Sequence, residues 1–314
     1  MASTNNFWEL ERHGDATALI EESGRTLSYA ELAAMADAAV ADVGSDRQLV
    51  LIECANVASV VAAFIGALRH NHAVMLTGPG GSDPESELVQ IFRPNFVFTP
   101  DTGFRRTNDE PVALHPDLAV LLSTSGSTGS PKLVRLSREN IASNAASIVE
   151  YLGMTSADRS PTCLPMQYSF GMSVINSSLA CGGAIFLTEA SVVDASFWDA
   201  FDRHGLTNFQ GVPHSFELLA RSGFLDRHHP SLAFFTQAGG KLARPRVETF
   251  DNYARKHGAR FYVMYGQTEA SPRMAYVPPE DLHAHAATIG RAVPGGELWV
   301  EEDGVRVPDG TEGE

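Results

Sequence analysis

Two textures alternate along this chain: short apolar runs, and longer stretches whose apolar residues recur at helical spacing. Residues 48–53, 73–77, 96–99 and 118–123 read as strands, and 57–69 reads as a helix between the first two. Ser28 and Glu31 have the spacing of a capping box, opening a helix that Gly44 ends. Asp83-Pro84 starts another, by cap and first-turn proline. Ser137 caps a helix that reaches residue 152 and is closed by Gly153. Further along, 184–188, 207–210, 232–237 and 260–264 read as strands, with helices near 197–204, 215–221 and 246–257. This alternation predicts an α/β fold with mainly parallel sheets. After Pro278 the texture changes. Residues 298–300 and 305–307 are short strands separated by Asp303-Gly304 and followed by a Pro308-Asp309-Gly310 turn, an antiparallel segment that stops without closing. The expected division is therefore 1–277 as the core and 278–314 as the start of a second unit.

Composition narrows the function classes. A chain of 314 residues holds one large or two ordinary domains. Its net charge of −15 argues against a nucleic-acid partner, while leaving room for a nucleotide held by local donors. Cys54, Cys163 and Cys181 are too few and too scattered for a disulfide framework and read as small buried hydrophobes. The first residues lack the order of a signal peptide, and the apolar run 57–68 is too short to span a bilayer. A cytoplasmic protein with no membrane partner is expected. His228-His229 and His283-x-His285 have no cysteine or acid constellation suited to zinc and read as solvated loop histidines.

The chemistry begins after residue 123, where the chain loses its bulk: Thr124-Ser125-Gly126-Ser127-Thr128-Gly129-Ser130-Pro131-Lys132. Such a loop offers hydroxyl and backbone donors to a phosphate chain, with Lys132 as a cation at the rim. A solvated linker has similar composition, but this stretch is short and flanked by strands. It is not a Walker A loop, because Pro131 precedes the lysine and Leu133 follows it. A second segment, Tyr265-Gly266-Gln267-Thr268-Glu269, follows the apolar run 261–264. In order and spacing the two segments resemble the signature loops of the adenylate-forming superfamily, which includes acyl-CoA synthetases, peptide-synthetase adenylation domains and luciferases. The likeness extends from Thr26-Leu27-Ser28-Tyr29 to the end of the chain.

The resemblance implies two intertwined α/β subdomains with a small antiparallel β-barrel, here incomplete, and a mobile C-terminal domain beyond Glu314. That domain and the approach to it would carry an acid for the ribose and a catalytic lysine. The implied reaction is attack of a carboxylate on the α-phosphorus of ATP, giving an acyl-adenylate that passes to a thiol of CoA or phosphopantetheine. A small-molecule carboxylic acid is the expected partner, with a carrier protein as the alternative acceptor and a non-catalytic nucleotide-binding module as a further reading. Thr124, Ser125, Gly126, Ser127, Thr128, Gly129 and Lys132 would hold phosphate oxygens, Thr268 the α-phosphate, and Glu269 a Mg²⁺ ion. Tyr265 would stack on adenine opposite Ala238-Gly239-Gly240, near Gly266 and Gln267. Lys241 departs from the commoner pattern and reaches either solvent or a phosphate. The acid would lie beside Tyr168, Ser169, Phe170 and Gly171, with Gly211, Val212, Pro213 and Gln237 as further walls. Phe170 and Val212 are equally compatible with ordinary core packing. Enzymes that activate α-amino acids place an aspartate where Gly171 stands, so a non-amino acid is expected.

Overall fold

The computed structural model describes residues 6–123, 132–308 and 310–312. In chain order its elements are β1 Thr17–Glu21, β2 Thr26–Ser28, α1 Tyr29–Ala39, β3 Leu49–Glu53, α2 Ala58–Arg69 and β4 Ala73–Thr77. Next come α3 Glu87–Phe92, β5 Phe96–Thr99, β6 Gly103–Arg106, β7 Leu118–Ser123, β8 Leu133–Ser137, α4 Arg138–Leu152 and β9 Arg159–Pro161. They are followed by α5 Ser169–Cys181, β10 Ala184–Leu187, α6 Ala195–His204, β11 Asn208–Gly211, α7 Pro213–Leu219 and β12 Phe234–Gln237. The last are α8 Arg244–His257, β13 Arg260–Gly266, β14 Arg273–Val277, α9 Leu282–His285, β15 Arg291–Ala292, β16 Glu301–Glu302 and β17 Val305–Arg306.

Among the described residues, three larger sheets and the two-stranded β16-β17 sheet organise these elements. The six-stranded sheet runs β6-β5-β3-β4-β7-β8, parallel through its inner four strands and antiparallel at both edges. A four-stranded sheet, β2-β1-β10-β9, takes strands from before and after the six-stranded one, so the two are intertwined in sequence. The third sheet is β11-β12-β13-β14-β15, whose first three strands are parallel. Parallel strands need both faces covered, which explains the wholly buried β4 and the Leu-Val-Leu-Ile run of β3. Helices α1 and α2 pack together at close range. A Cβ on Gly66 would stand 2.2 Å from the Ala36 carbonyl oxygen.

The mixed α/β architecture with mainly parallel sheets is the one the alternation predicts. Several local boundaries differ. Ser28 and Glu31 do form the capping box, but α1 ends at Ala39, and Gly44 (φ +89°) closes a run of turns instead. Asp83 accepts a hydrogen bond from the Glu85 amide in a turn, and Ser86 is the N-cap of α3. Residues 298–300 form no strand. The hairpin pairs β16 with β17, while the Val307 amide donates to Val300 O. Beyond residue 277, α9 packs against α8, Leu282 is buried in the core, and β15 extends the third sheet.

The third sheet positions the site, and its two faces differ. Phe209, Phe235 and Phe261 stand in register on one face, with ring centroids 5.1 and 4.7 Å apart, and α7 and α8 cover them with Phe216 and Phe250. The other face presents Phe234, Tyr262, Met264 and Tyr276, packed against Tyr151 of α4 and Phe170 and Val174 of α5.

Candidate functional site

The chain makes a cavity where β12 and β13 end and α5 begins. Gln237 closes β12, and the next turn holds Gly239 at φ +81° and Gly240 at φ +156°, conformations that suit glycine. Gly239 has a second constraint, since a Cβ there would lie 2.5 Å from the Tyr168 hydroxyl. After Gly266 the chain makes a short 3₁₀ turn, Thr268–Ala270, and β8 lies against it. The result is a cavity of about 390 Å³ lined by Ser123, Tyr168, Ser169, Phe170, Ala238, Gly239, the segment Gly266 to Glu269, Pro272 and Arg273. A second cavity of about 430 Å³ adjoins it. Gln237, Gly240, Lys241, Tyr265 and residues 286–289 contribute to its wall, and Gly239 and Gly266 belong to both.

The polar groups converge at the boundary. Ser169 Oγ and Thr268 Oγ1 are 3.1 Å apart. Ser169 is the first residue of α5, and no side chain caps that helix, so its N-terminal amides favour an anion nearby. Glu269 is exposed on the cavity rim. Burial pushes the Tyr168 phenol above its ordinary value, and the positive charge of Arg273 offsets part of that rise. It is a neutral hydroxyl near neutral pH. Arg273 itself is 4% exposed and donates to the Tyr151 hydroxyl (2.9 Å), Met264 Sδ (2.7 Å) and Ser173 Oγ (3.2 Å).

Most residues expected at a site from the sequence do meet here. Tyr168, Ser169, Phe170, Ala238, Gly239, Gly266, Gln267, Thr268 and Glu269 line the first cavity, and Gln237, Gly239, Gly240, Lys241, Tyr265 and Gly266 the second. Lys132 is exposed just before β8. Thr124, Ser125, Gly126, Ser127, Thr128 and Gly129 lie outside the described residues. Gly211, Val212 and Pro213 are in neither wall. Val212 and Pro213 instead lie against Gly239 and Gly240, each 3.2 Å from where a Cβ on that glycine would stand. Gly171 is also absent from both walls. A Cβ there would meet the carbonyl oxygens of Pro165 at 2.2 Å and Leu164 at 2.7 Å. Close packing therefore accounts for this glycine, which lines neither cavity.

The histidines need correction as well. His229 is buried, lies tilted against the Trp198 ring with centroids 4.4 Å apart and bonds Asp202 at 2.8 Å, so it is a core residue. His283 and His285 are exposed on α9, not in a loop. Among the described residues no group of three or more His, Cys, Asp or Glu side chains could hold a metal. Burial pushes the Cys54 and Cys163 thiols up to about 12, as expected of structural cysteines. No helix among the described residues is long and apolar enough to cross a membrane. Arg273 was missed from the sequence, although a charged residue opening an otherwise apolar strand was a signal that could have found it.

Comparison with known proteins agrees with this geometry. Over 194 residues (61% of this chain) the sequence is 32% identical to the indoleacetate–CoA ligase of Aromatoleum aromaticum, covering 37% of that protein. Over 195 residues (60% of this chain) it is 30% identical to the L-proline–[L-prolyl-carrier protein] ligase of Streptomyces coelicolor, covering 36% of that protein. The chain thus spans under two fifths of the length of these relatives. In fold it matches the crystal structure of VinN at TM-score 0.83 and 24% identity, covering 99% of this chain and 87% of that one. It matches o-succinylbenzoate CoA synthetase (MenE) from Bacillus subtilis, in complex with the acyl-adenylate intermediate OSB-AMP, at TM-score 0.81 and 22% identity, covering 99% and 68%. The family model for AMP-binding enzymes matches residues 83–314. The chain belongs to this family of AMP-binding enzymes, within the adenylate-forming superfamily.

Proposed function

We propose that the protein uses ATP to activate a small non-amino carboxylic acid as its acyl-adenylate, for transfer to a thiol such as that of CoA. The observation that carries this reading is the meeting of two cavities at Gly239 and Gly266, with Ser169 and Thr268 hydroxyls 3.1 Å apart at the boundary. One cavity suits a base and the other a reacting acid, and an adenylate is the molecule that needs both. Tyr265, 43% exposed on the wall of the second cavity, offers a ring face to adenine opposite the Gly239–Gly240 backbone. Thr268 Oγ1 and Ser169 Oγ are hydrogen-bond donors for oxygens at the reacting phosphorus, with the α5 amides behind them. In-line displacement at phosphorus needs positioning and charge neutralisation more than covalent help.

Glu269 fits a magnesium ion. One rim carboxylate is what such an ion asks of protein when phosphate oxygens and water complete its shell. When bound, the ion would offset phosphate charge. Lys132, from the flank of the 124–131 segment, would add a cation at the rim. A non-amino acid is favoured because the charged residues on the first cavity's wall are Glu269 at the rim and the buried cation Arg273, a poor setting for an ammonium group.

The relatives' names leave the acceptor open between CoA and a carrier protein. ATP–pyrophosphate exchange across a panel of aliphatic, aryl and amino acids tests the reading. Acid-dependent exchange with non-amino acids is expected. Exchange driven best by an α-amino acid, or AMP that fails to bind, would refute it.

A further inference from the structure

Arg273 is an unusual residue to find on this wall, and the inference drawn from it rests on the adenylate reading above. Arg273 is 4% exposed, yet among the described residues no carboxylate pairs with its guanidinium. Other arginines of the protein find strong acceptors. Arg69 pairs with Glu11 and Asp37, Arg246 with Glu217, and Arg47 and Arg138 donate to main-chain carbonyl oxygens. The side chain of Arg273 meets only two hydroxyls and a thioether, all neutral and the last a weak acceptor. Its Nε is buried with no partner among the described residues. The Phe170 ring, 4.3 Å from the guanidinium carbon, stabilises the cation but takes none of its hydrogen bonds.

A buried cation without a counter-charge is strongly disfavoured unless something supplies one. The cavity is the open direction, because Arg273 lines it while β14, α4 and α5 enclose the rest. We propose that the acid activated here carries a second, terminal carboxylate, and that Arg273 holds it while the reacting carboxylate lies at Thr268. The substrate class is a short dicarboxylic acid, which enters as a dianion and has its second charge offset by the guanidinium once bound. Arg273 acts as a specificity-determining residue. Its planar fork matches a carboxylate in two parallel hydrogen bonds, which a lysine in its place could not reproduce.

The test uses non-hydrolysable sulfamoyl-adenosine mimics in matched pairs: succinyl against butyryl, glutaryl against valeryl, adipyl against hexanoyl. Each is titrated calorimetrically into the protein, with AMP alone as reference. In at least one pair the carboxylate-ended mimic is expected to bind on the order of 10²-fold tighter than its methyl-ended partner. Arg273→Met should reduce that ratio to within about threefold while AMP affinity holds, and Arg273→Lys should recover only part of it. Equal binding within every pair overturns the proposal. So does a fall in AMP affinity in Arg273→Met, which would place the guanidinium on the phosphate or the reacting carboxylate. Should the variants fail to fold, the pairs measured on the unaltered protein decide alone. If AMP itself does not bind the unaltered protein, the adenylate reading fails first and this inference goes with it. AMP binding with equal pairs sinks this inference alone.

Discussion

The two faces of the third sheet are made by the same strands, yet they have become opposite materials. On one side Phe209, Phe235 and Phe261 stack strand to strand, and Phe216, Phe250 and Tyr253 seal them. On the other, Tyr151, Tyr262, Tyr276 and Arg273 put buried polar atoms among apolar ones, and Thr236 Oγ1 and Arg273 Nε have no partner among the described residues. The contrast is between a stacked apolar ladder and a face that buries polar atoms, and both reach the cavities at the ends of β12 and β13, where Gln237 Oε1 also lacks a partner among the described residues. A stacked apolar ladder holds itself together, whereas unmet polar atoms beside a cavity, Gln237 Oε1 and Arg273 Nε among them, are expensive in an empty site and useful in a filled one.

Substitutions on each face can break this contrast. The largest effect should come from Phe235→Ala, which leaves a cavity in the aromatic ladder and should destabilise the protein by about 3–5 kcal/mol in denaturant unfolding. A loss below about 1 kcal/mol would mean that the ladder is not the structural face. Next, Thr268→Ala and Glu269→Gln should each slow acid-dependent pyrophosphate exchange by roughly 10²-fold or more, by removing stabilisation of charge that develops in the transition state. Their unfolding midpoints should scarcely move, and unchanged exchange in both would remove these residues from the mechanism. Tyr265→Ala takes away one stacking surface and should weaken AMP by about tenfold, read by calorimetry. An unaltered affinity would put the base elsewhere. Lys132→Ala should have the smallest effect, under about tenfold in exchange, since solvent and a metal ion partly replace a rim cation on a flexible stem. A larger loss would promote that lysine from rim to centre.

Much of this was readable from sequence because local signals were unusually complete. Ser28 with Glu31, Ser137 with Asn140, and Gly153 each behave as caps. The segment Tyr265 to Glu269 carries its chemistry in consecutive residues. Helix α5 escaped notice for a physical reason. From Ser169 to Leu179 every residue is buried, so no polar stripe marks a helical period. Gly171 was expected on the substrate wall because type alone does not tell whether a glycine lines a cavity or lets two backbones touch. Arg273 was overlooked because its meaning lies in partners 100 and 122 residues away, Ser173 and Tyr151, which no local window joins. His229 hid in the same way, its carboxylate partner being 27 residues upstream.

A crystal structure of the protein with AMP tests the central claim most directly, namely that the two adjoining cavities form one adenylate site at the end of the third sheet, where β12 and β13 stop. The account predicts the adenine between Tyr265 and the Gly239–Gly240 backbone, with the phosphate at the Thr268 and Ser169 hydroxyls and Arg273 left free of it. AMP bound away from Gly239 and Gly266, or with its phosphate on Arg273, would contradict the account.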